Sequence, residues 1–148
     1  MYLLDTDHLG ILQLRDGALY AALQSRLITR PNTEFFVSIV SFHEQLNGWQ
    51  AYLRRQRTPD QVVYAYQRLE DVIDDFSQWQ VAAYDHEAVK QFQSLRQQRV
   101  RIGTMDLRIA AIALARDYTV LTRNLVDFEK VPGLKVEDWT VVAPDKPR

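Results

Sequence analysis

Cysteine is absent from the 148 residues, so disulfide staples and thiolate metal sites are excluded. A cytoplasmic location is the expectation that this absence fits. Neither sign of charge is in excess: 18 Lys and Arg face 19 Asp and Glu, for a net charge of −1. A nucleic-acid partner would have to be drawn by a local basic patch, because the whole-molecule field is weak. Long apolar runs are missing too. The longest, at 109–115, falls far short of the roughly 20 residues that span a bilayer, so no membrane partner is expected. Asp5 interrupts the N-terminus before the apolar segment of a signal peptide could form. No repeat, low-complexity tract or linker divides the sequence. One domain over 1–148 is expected, ordered to about residue 142, with a frayed tail at 143–148. With 47% hydrophobic residues, a chain of this length can bury one core without covalent help.

What is present is an alternation of short buried strands with amphipathic helices. Tyr2–Leu4 reads as a strand, followed by a helical region over 7–27 that breaks near Asp16-Gly17. After a turn at Arg30-Pro31-Asn32-Thr33, 34–40 reads as the second strand. Ser41 and Glu44 have capping-box spacing, ahead of a helix with Phe42, Leu46, Trp49 and Leu53 on one face. Thr58-Pro59 opens another helix, whose predicted buried stripe is Val62, Val63, Tyr66, Leu69, Val72, Ile73 and Phe76. The third strand is expected at 79–84, and Asp85 caps a helix carrying Ala88, Val89, Phe92 and Leu95. Thr104 is the expected cap of 105–116, which is apolar on nearly all sides and therefore central. Val120-Leu121 gives a fourth strand, and 134–137 a short fifth after Pro132-Gly133. This alternation predicts an α/β fold: a three-layer α/β/α sandwich around a mainly parallel sheet of four to five strands.

Four acids stand out against that frame. Asp5, Glu44 and Asp127 follow strand candidates, and Asp106 opens the most apolar helix. Ligands of an open parallel sheet bind beyond the carboxyl ends of its strands. Two carboxylates about 4 Å apart there repel by roughly 4 kcal/mol at an effective dielectric of 20. Such a cluster holds a proton or a divalent cation. The cation predicts metal-assisted phosphoryl chemistry. Each acid also has a plain structural use. Asp5 and Asp7 can cap a helix, Glu44 can close the Ser41 box, Asp106 can complement a helix dipole, and Asp127 can make a turn with Asn124. Their shared placement favours the joint reading.

The residues around these acids resemble the PIN-domain ribonucleases of the VapC toxin type. The likeness lies in Leu3-Leu4-Asp5-Thr6-Asp7-His8 and Ser38-Ile39-Val40-Ser41-Phe42-His43-Glu44-Gln45-Leu46-Asn47-Gly48. It continues in Thr104-Met105-Asp106-Leu107-Arg108-Ile109-Ala110-Ala111, Leu121-Thr122-Arg123-Asn124-Leu125-Val126-Asp127-Phe128 and Val131-Pro132-Gly133-Leu134. The blocks span nearly the whole chain in family order, and the third and fourth together are the specific ones. The resemblance implies a PIN-like fold, cleavage of single-stranded or looped RNA with Mg²⁺ or Mn²⁺, a homodimer, and a small antitoxin as partner. By position, Asp5, Glu44, Asp106 and Asp127 become the acidic quartet. Thr6 and Asn124 become polar partners that orient the carboxylates, with Thr122 and Thr104 in support. Asp7 stands where an amide or small hydroxyl is usual, so an added carboxylate there would tighten metal binding or change the metal preferred.

Elementary coordination chemistry suits those roles. Mg²⁺ keeps several waters and takes one or two direct carboxylates, for which the short side chains of Asp5 and Asp106 at element ends are best pre-organised. Glu44 would reach the metal or orient its water, and Asp127 would act through water or on a second ion. No side-chain nucleophile is needed, so His8 and His43 have no expected part in the chemistry. Arg123, Arg101, Arg99 and Arg108 are the expected RNA contacts, with Arg96 in the same stretch; Arg54, Arg55 and Arg57 read as a helix-end cluster. Tyr52, Tyr64 and Trp79 exceed what so short a chain needs for its core, which predicts an interface on the helices of 41–76. A second enzyme reading is a haloacid-dehalogenase-like phosphatase, with Asp5 as nucleophile and Asp7 as acid/base. Leu9 and the lack of a well-placed lysine weigh against it. The non-enzymatic readings are a response-receiver module and a non-catalytic PIN-like interaction module.

Overall fold

The computed structural model describes residues 1–55 and 58–141; Arg57 and the tail at 143–148 lie outside them. Strands β1 (Tyr2–Leu4), β2 (Phe35–Ser38), β3 (Gln80–Ala82), β4 (Thr119–Leu121) and β5 (Val136–Glu137) form one sheet in the order β3-β2-β1-β4-β5. Every pairing in it is parallel. Successive side chains of a strand point to opposite faces. Leu3 and Val120 therefore enter one core layer, while Leu4, Phe35, Val37 and Leu121 enter the other.

The first layer is closed by α5 (His86–Gln97) and α6 (Thr104–Arg116), the second by α1 (Thr6–Leu14), α2 (Gly17–Leu27) and α4 (Pro59–Ser77). Between them runs α3 (Ile39–Arg54), with Val40 in the first core and Phe42 and Trp49 against the second. A short α7 (Leu125–Phe128) adds the fully buried Phe128. The expected three-layer sandwich is the observed one. Helix α6 is central as its composition predicts, with Leu107 and the run from Ile109 to Ala113 buried.

The topology positions the site. From the central β1 the chain builds outward to β2 and β3 on one side, and to β4 and β5 on the other. The crevice between β1 and β4 is thus the topological switch point where such sheets bind ligands. Leu4 pairs in register with Val37 and Leu121, which sets Asp5, Ser38 and Thr122 level just past the strand ends. The Asp5 N–H continues the ladder by donating to Leu121 O at 2.9 Å.

Helix boundaries correct three expectations. The second strand stops at Ser38, whose hydroxyl caps α3 by accepting from Val40 N, so Ser41 falls inside the first turn and is buried. Thr104 is the first residue of α6, and Gly103 precedes it as an N-cap with no side-chain bond. On α4 the predicted stripe is only partly buried: Val72 and Phe76 pack inward, while Val63, Tyr66 and Ile73 are 56%, 56% and 60% exposed. The Thr58 cap is a full capping box with Gln61, and Asp85 and Asp16 cap α5 and α2. No helix among the described residues is long and apolar enough to cross a membrane.

Candidate active site

Asp5 is both the N-cap of α1 and the first residue beyond β1. Its Oδ1 accepts from Thr6 N at 2.7 Å and its Oδ2 from the Thr122 hydroxyl at 2.8 Å. Burial, and after it the charge of Asp7, pushes its carboxyl up to about 7 against the pull of the Thr122 and Thr6 bonds. Thr6 makes the link to Glu44. Its Oγ1 lies 2.9 Å from both Glu44 Oε1 and Ser41 Oγ. A carboxylate only accepts, so Thr6 donates to Glu44 and its oxygen accepts from Ser41. Ser41 thus backs the site from below, a role hidden in the sequence by its capping-box spacing.

Asp7 is committed to the protein. Its Oδ1 is 2.8 Å from His8 Nδ1, and its Oδ2 accepts from Arg123 N at 2.9 Å and faces Thr122 Oγ1 at 3.1 Å. Burial pushes its carboxyl up, but the bonds from His8 and Arg123 N outweigh that and hold it below the ordinary range. Asp7 therefore braces the segment after β4 and is not a spare ligand. His8, which the sequence suggested no use for, is fully buried and joins Asp7 to the backbone of Trp139, whose N–H donates to Nε2 at 3.2 Å.

Asp106 sits in the first turn of α6, half-buried, and makes no hydrogen bond or ion pair among the described residues. Burial first, then the carboxylates of Glu44, Asp127 and Asp7, push it up to about 6. That repulsion places the acids of four chain segments in one field. Asp127 is the outlying member. Asn124 caps α7 by accepting from Asp127 N and donates to Asp127 Oδ2 at 3.0 Å, and Lys130 stands 3.3 Å from Oδ1. The Asn124 bond, then Lys130, holds Asp127 below its ordinary value. The turn-cap use of Asp127 is thus realised, although its charge still reaches Asp106.

A divalent cation suits this donor set: two carboxylates raised by burial and by the charges of neighbouring acids, with no Lys or Arg paired to Asp5, Glu44 or Asp106 among the described residues. No three acids or histidines among the described residues come together as a closed cage. A hydrated Mg²⁺ held by one or two carboxylates needs no such cage.

The remaining expected residues are placed as follows. Arg99, Arg101 and Arg123 are exposed, the first two in the segment that leads into Gly103 and Asp106. Arg108 is half-buried, with its guanidinium 6.0 Å from the Phe92 ring and near Met105 Sδ, turned along α6. Thr104 is exposed and bonds none of the acids. A concavity of about 580 Å³ lies away from the acids. It is lined by Leu9, Tyr20, Leu27, Ile28, Phe35 and Trp79, beside the N-terminal ends of β2 and β3.

No family model matches the sequence. Among curated proteins, the chain is 37% identical over 73 residues to the tRNA(fMet)-specific endonuclease VapC of Salmonella typhimurium, a match over 46% of this chain and 55% of that protein. It is 26% identical over 145 residues to ribonuclease VapC1 of Haemophilus influenzae, over 95% of this chain and 98% of the relative. The matches thus span about half of the first relative and nearly all of the second. Among solved structures, a DNA-bound VapBC complex from Salmonella typhimurium aligns with TM-score 0.71 and 24% identity, over 93% of this chain and 97% of that one. The VapBC-1 structure from nontypeable Haemophilus influenzae aligns with TM-score 0.68 and 21% identity, over 95% and 98%. The fold of this chain is theirs.

Proposed function

We propose that the chain is a PIN-domain protein of the VapC type, a divalent-metal-dependent endoribonuclease and the toxin of a toxin–antitoxin pair. The observation that carries this reading is Asp106: a half-buried carboxylate with no hydrogen-bond or ion-pair partner among the described residues, in the field of Glu44, Asp127 and Asp7; its own charge raises Asp5. A cluster of that kind is stable in its charged form only with a cation in it.

Asp5 and Asp106 would hold Mg²⁺ or Mn²⁺. When bound, the ion acidifies a water and neutralises charge that develops on phosphate oxygens. The protein's part is positional. Thr122 and Thr6 N keep Asp5 aimed, Thr6 aims Glu44, and Asn124 holds Asp127 at the rim. Glu44, one carbon longer, would orient a water toward phosphorus. The exposed Arg99, Arg101 and Arg123 are the proposed contacts for the RNA backbone.

An antitoxin is the proposed partner, because solved structures with this fold include VapBC complexes. The apolar groove between α1, α2 and the end of α4 is the concavity offered to an amphipathic helix of such a partner. A homodimer through the exposed Val63, Tyr66 and Ile73 of α4, a cytoplasmic location, and one nuclease domain over the whole chain complete the reading.

The test is direct. Purified protein in Mn²⁺ should cut a hairpin RNA within its unpaired loop, and EDTA should stop it. Cleavage that persists unchanged in EDTA would overturn the metal-dependent reading.

A further inference from the structure

His8 is a fully buried titratable side chain that the proposed chemistry leaves unused. Its two ring nitrogens meet different partners: Nδ1 stands 2.8 Å from Asp7 Oδ1, and Nε2 stands 3.2 Å from the backbone N of Trp139. The Trp139 N–H can only donate, so Nε2 must accept, and the ring proton is therefore on Nδ1, aimed at Asp7. Asp138 Oδ1 at 3.7 Å from Nε2 would argue for the opposite tautomer. That distance is too long for a hydrogen bond, and the same oxygen is already taken by Thr140 N at 2.8 Å and Thr140 Oγ1 at 2.6 Å.

The next link is Thr122. Its hydroxyl has one proton and two carboxylates in reach, Asp5 Oδ2 at 2.8 Å and Asp7 Oδ2 at 3.1 Å, while its oxygen accepts from Asn124 N at 3.0 Å. Asp7 is already served by His8 on one oxygen and by Arg123 N on the other. The Thr122 proton is thereby left for Asp5. Trp139 packs among Tyr2, Phe35 and Arg26, so the far end of this chain of bonds is anchored in the second core.

We propose that His8 is a positioning residue: through Asp7 it fixes the Thr122–Arg123 segment and directs the Thr122 hydroxyl to Asp5, coupling the C-terminal segment at Asp138 and Trp139 to the acidic site. The inference rests on the metal-dependent nuclease reading of Asp5. Side-chain ¹⁵N NMR of His8 in the wild type should show the neutral Nδ1–H tautomer, and an Nε2–H tautomer would overturn the relay whatever the activity. His8→Asn keeps a donor at the Nδ1 position. His8→Gln keeps only a group at the Nε2 position, and His8→Phe keeps neither. Cleavage of a fluorescent hairpin RNA and binding of MnCl₂ by calorimetry should each fall about 10–100-fold in the Gln and Phe variants, with the loss in kcat and not in KM. The Asn variant should recover most of both. Gln and Phe variants that match an active wild type, or an Asn variant as poor as Phe at equal melting temperature, would sink the role of His8 alone. A wild type that neither binds Mn²⁺ nor cuts RNA would instead sink the nuclease reading and this role with it.

Discussion

Asp5 and Asp7 carry the same group two residues apart, yet their surroundings push them in opposite directions. Asp5 is raised to about 7 by burial and by its acidic neighbour, and Asp7 is held low by the bonds it accepts. The consequence for stability has a definite sign. Between the ordinary carboxylate value and about 7, folded Asp5 holds a proton that the unfolded chain has lost, so stability falls as pH rises. The acids held low, Asp7 and Asp127, contribute stability that is fully present above the ordinary carboxylate value and lost only below it, so they do not tilt this window. In EDTA, the melting temperature of the wild type should therefore fall from pH 5 to pH 8, by roughly 4 °C for each kcal/mol. Asp5→Asn, which keeps the capping shape, should flatten that fall and melt above wild type at pH 8. Thermal scans across the range check this, and parallel curves would contradict a buried Asp5 charge. Asp5 was legible in the sequence because it directly follows a buried strand, and Thr122 entered only through the family resemblance. Ser41 was not, because its three-residue spacing to Glu44 satisfies a capping box equally well. Only the start of α3 at Ile39 turns Ser41 inward to Thr6. His8 gave no signal beyond an imidazole beside Leu9 at the entry to a helix.

Elements whose ends carry their own chemistry were the readable ones. Thr58-Pro59 and Asp85 mark α4 and α5 where the structure begins them, since a side-chain cap works through local backbone alone. Gly103 has no side chain to announce α6, and the neighbouring Thr104 drew the boundary one residue late. Helix α4 shows the other limit. Its apolar stripe was visible by periodicity, but periodicity does not say how much of a stripe the chain's own sheet can cover. Val72 and Phe76 meet the second core, and Val63, Tyr66 and Ile73 are left in solvent. A second copy covering that face is the proposal these residues support. Tyr66→Lys combined with Ile73→Lys should weaken self-association at least about tenfold without lowering the melting temperature of the monomer. Light scattering at high micromolar concentration is the check, and a wild type that is already monomeric there would contradict the proposed face.

On the scale of the molecule, the alternation of strands and helices was enough to predict a parallel sandwich, because crossover connections leave few alternatives. The strand order was not legible, and it is the order β3-β2-β1-β4-β5 that brings the segments at Asp5 and Thr122 to one crevice. The structure also weighs against a phosphatase using Asp7 as acid/base, since its two oxygens are engaged by His8 and Arg123 N. With a net charge of only −1, the proposed RNA affinity would have to come from local cations. Arg123→Ala should weaken binding of a loop RNA across sequences and reduce the salt slope by about 0.7, the share of one phosphate contact on a single strand. An unchanged slope would remove Arg123 from the path. The central claim is that Asp5 and Asp106 cut RNA by holding a divalent ion, and one measurement meets it most directly. Cleavage of a hairpin RNA in Mn²⁺ is compared among wild type, Asp5→Asn and Asp106→Asn, each shown to be folded by its melting curve. The account predicts a loss of at least about 100-fold in both variants, beyond what altered supporting contacts cause. Wild-type rates in folded Asp106→Asn would contradict it.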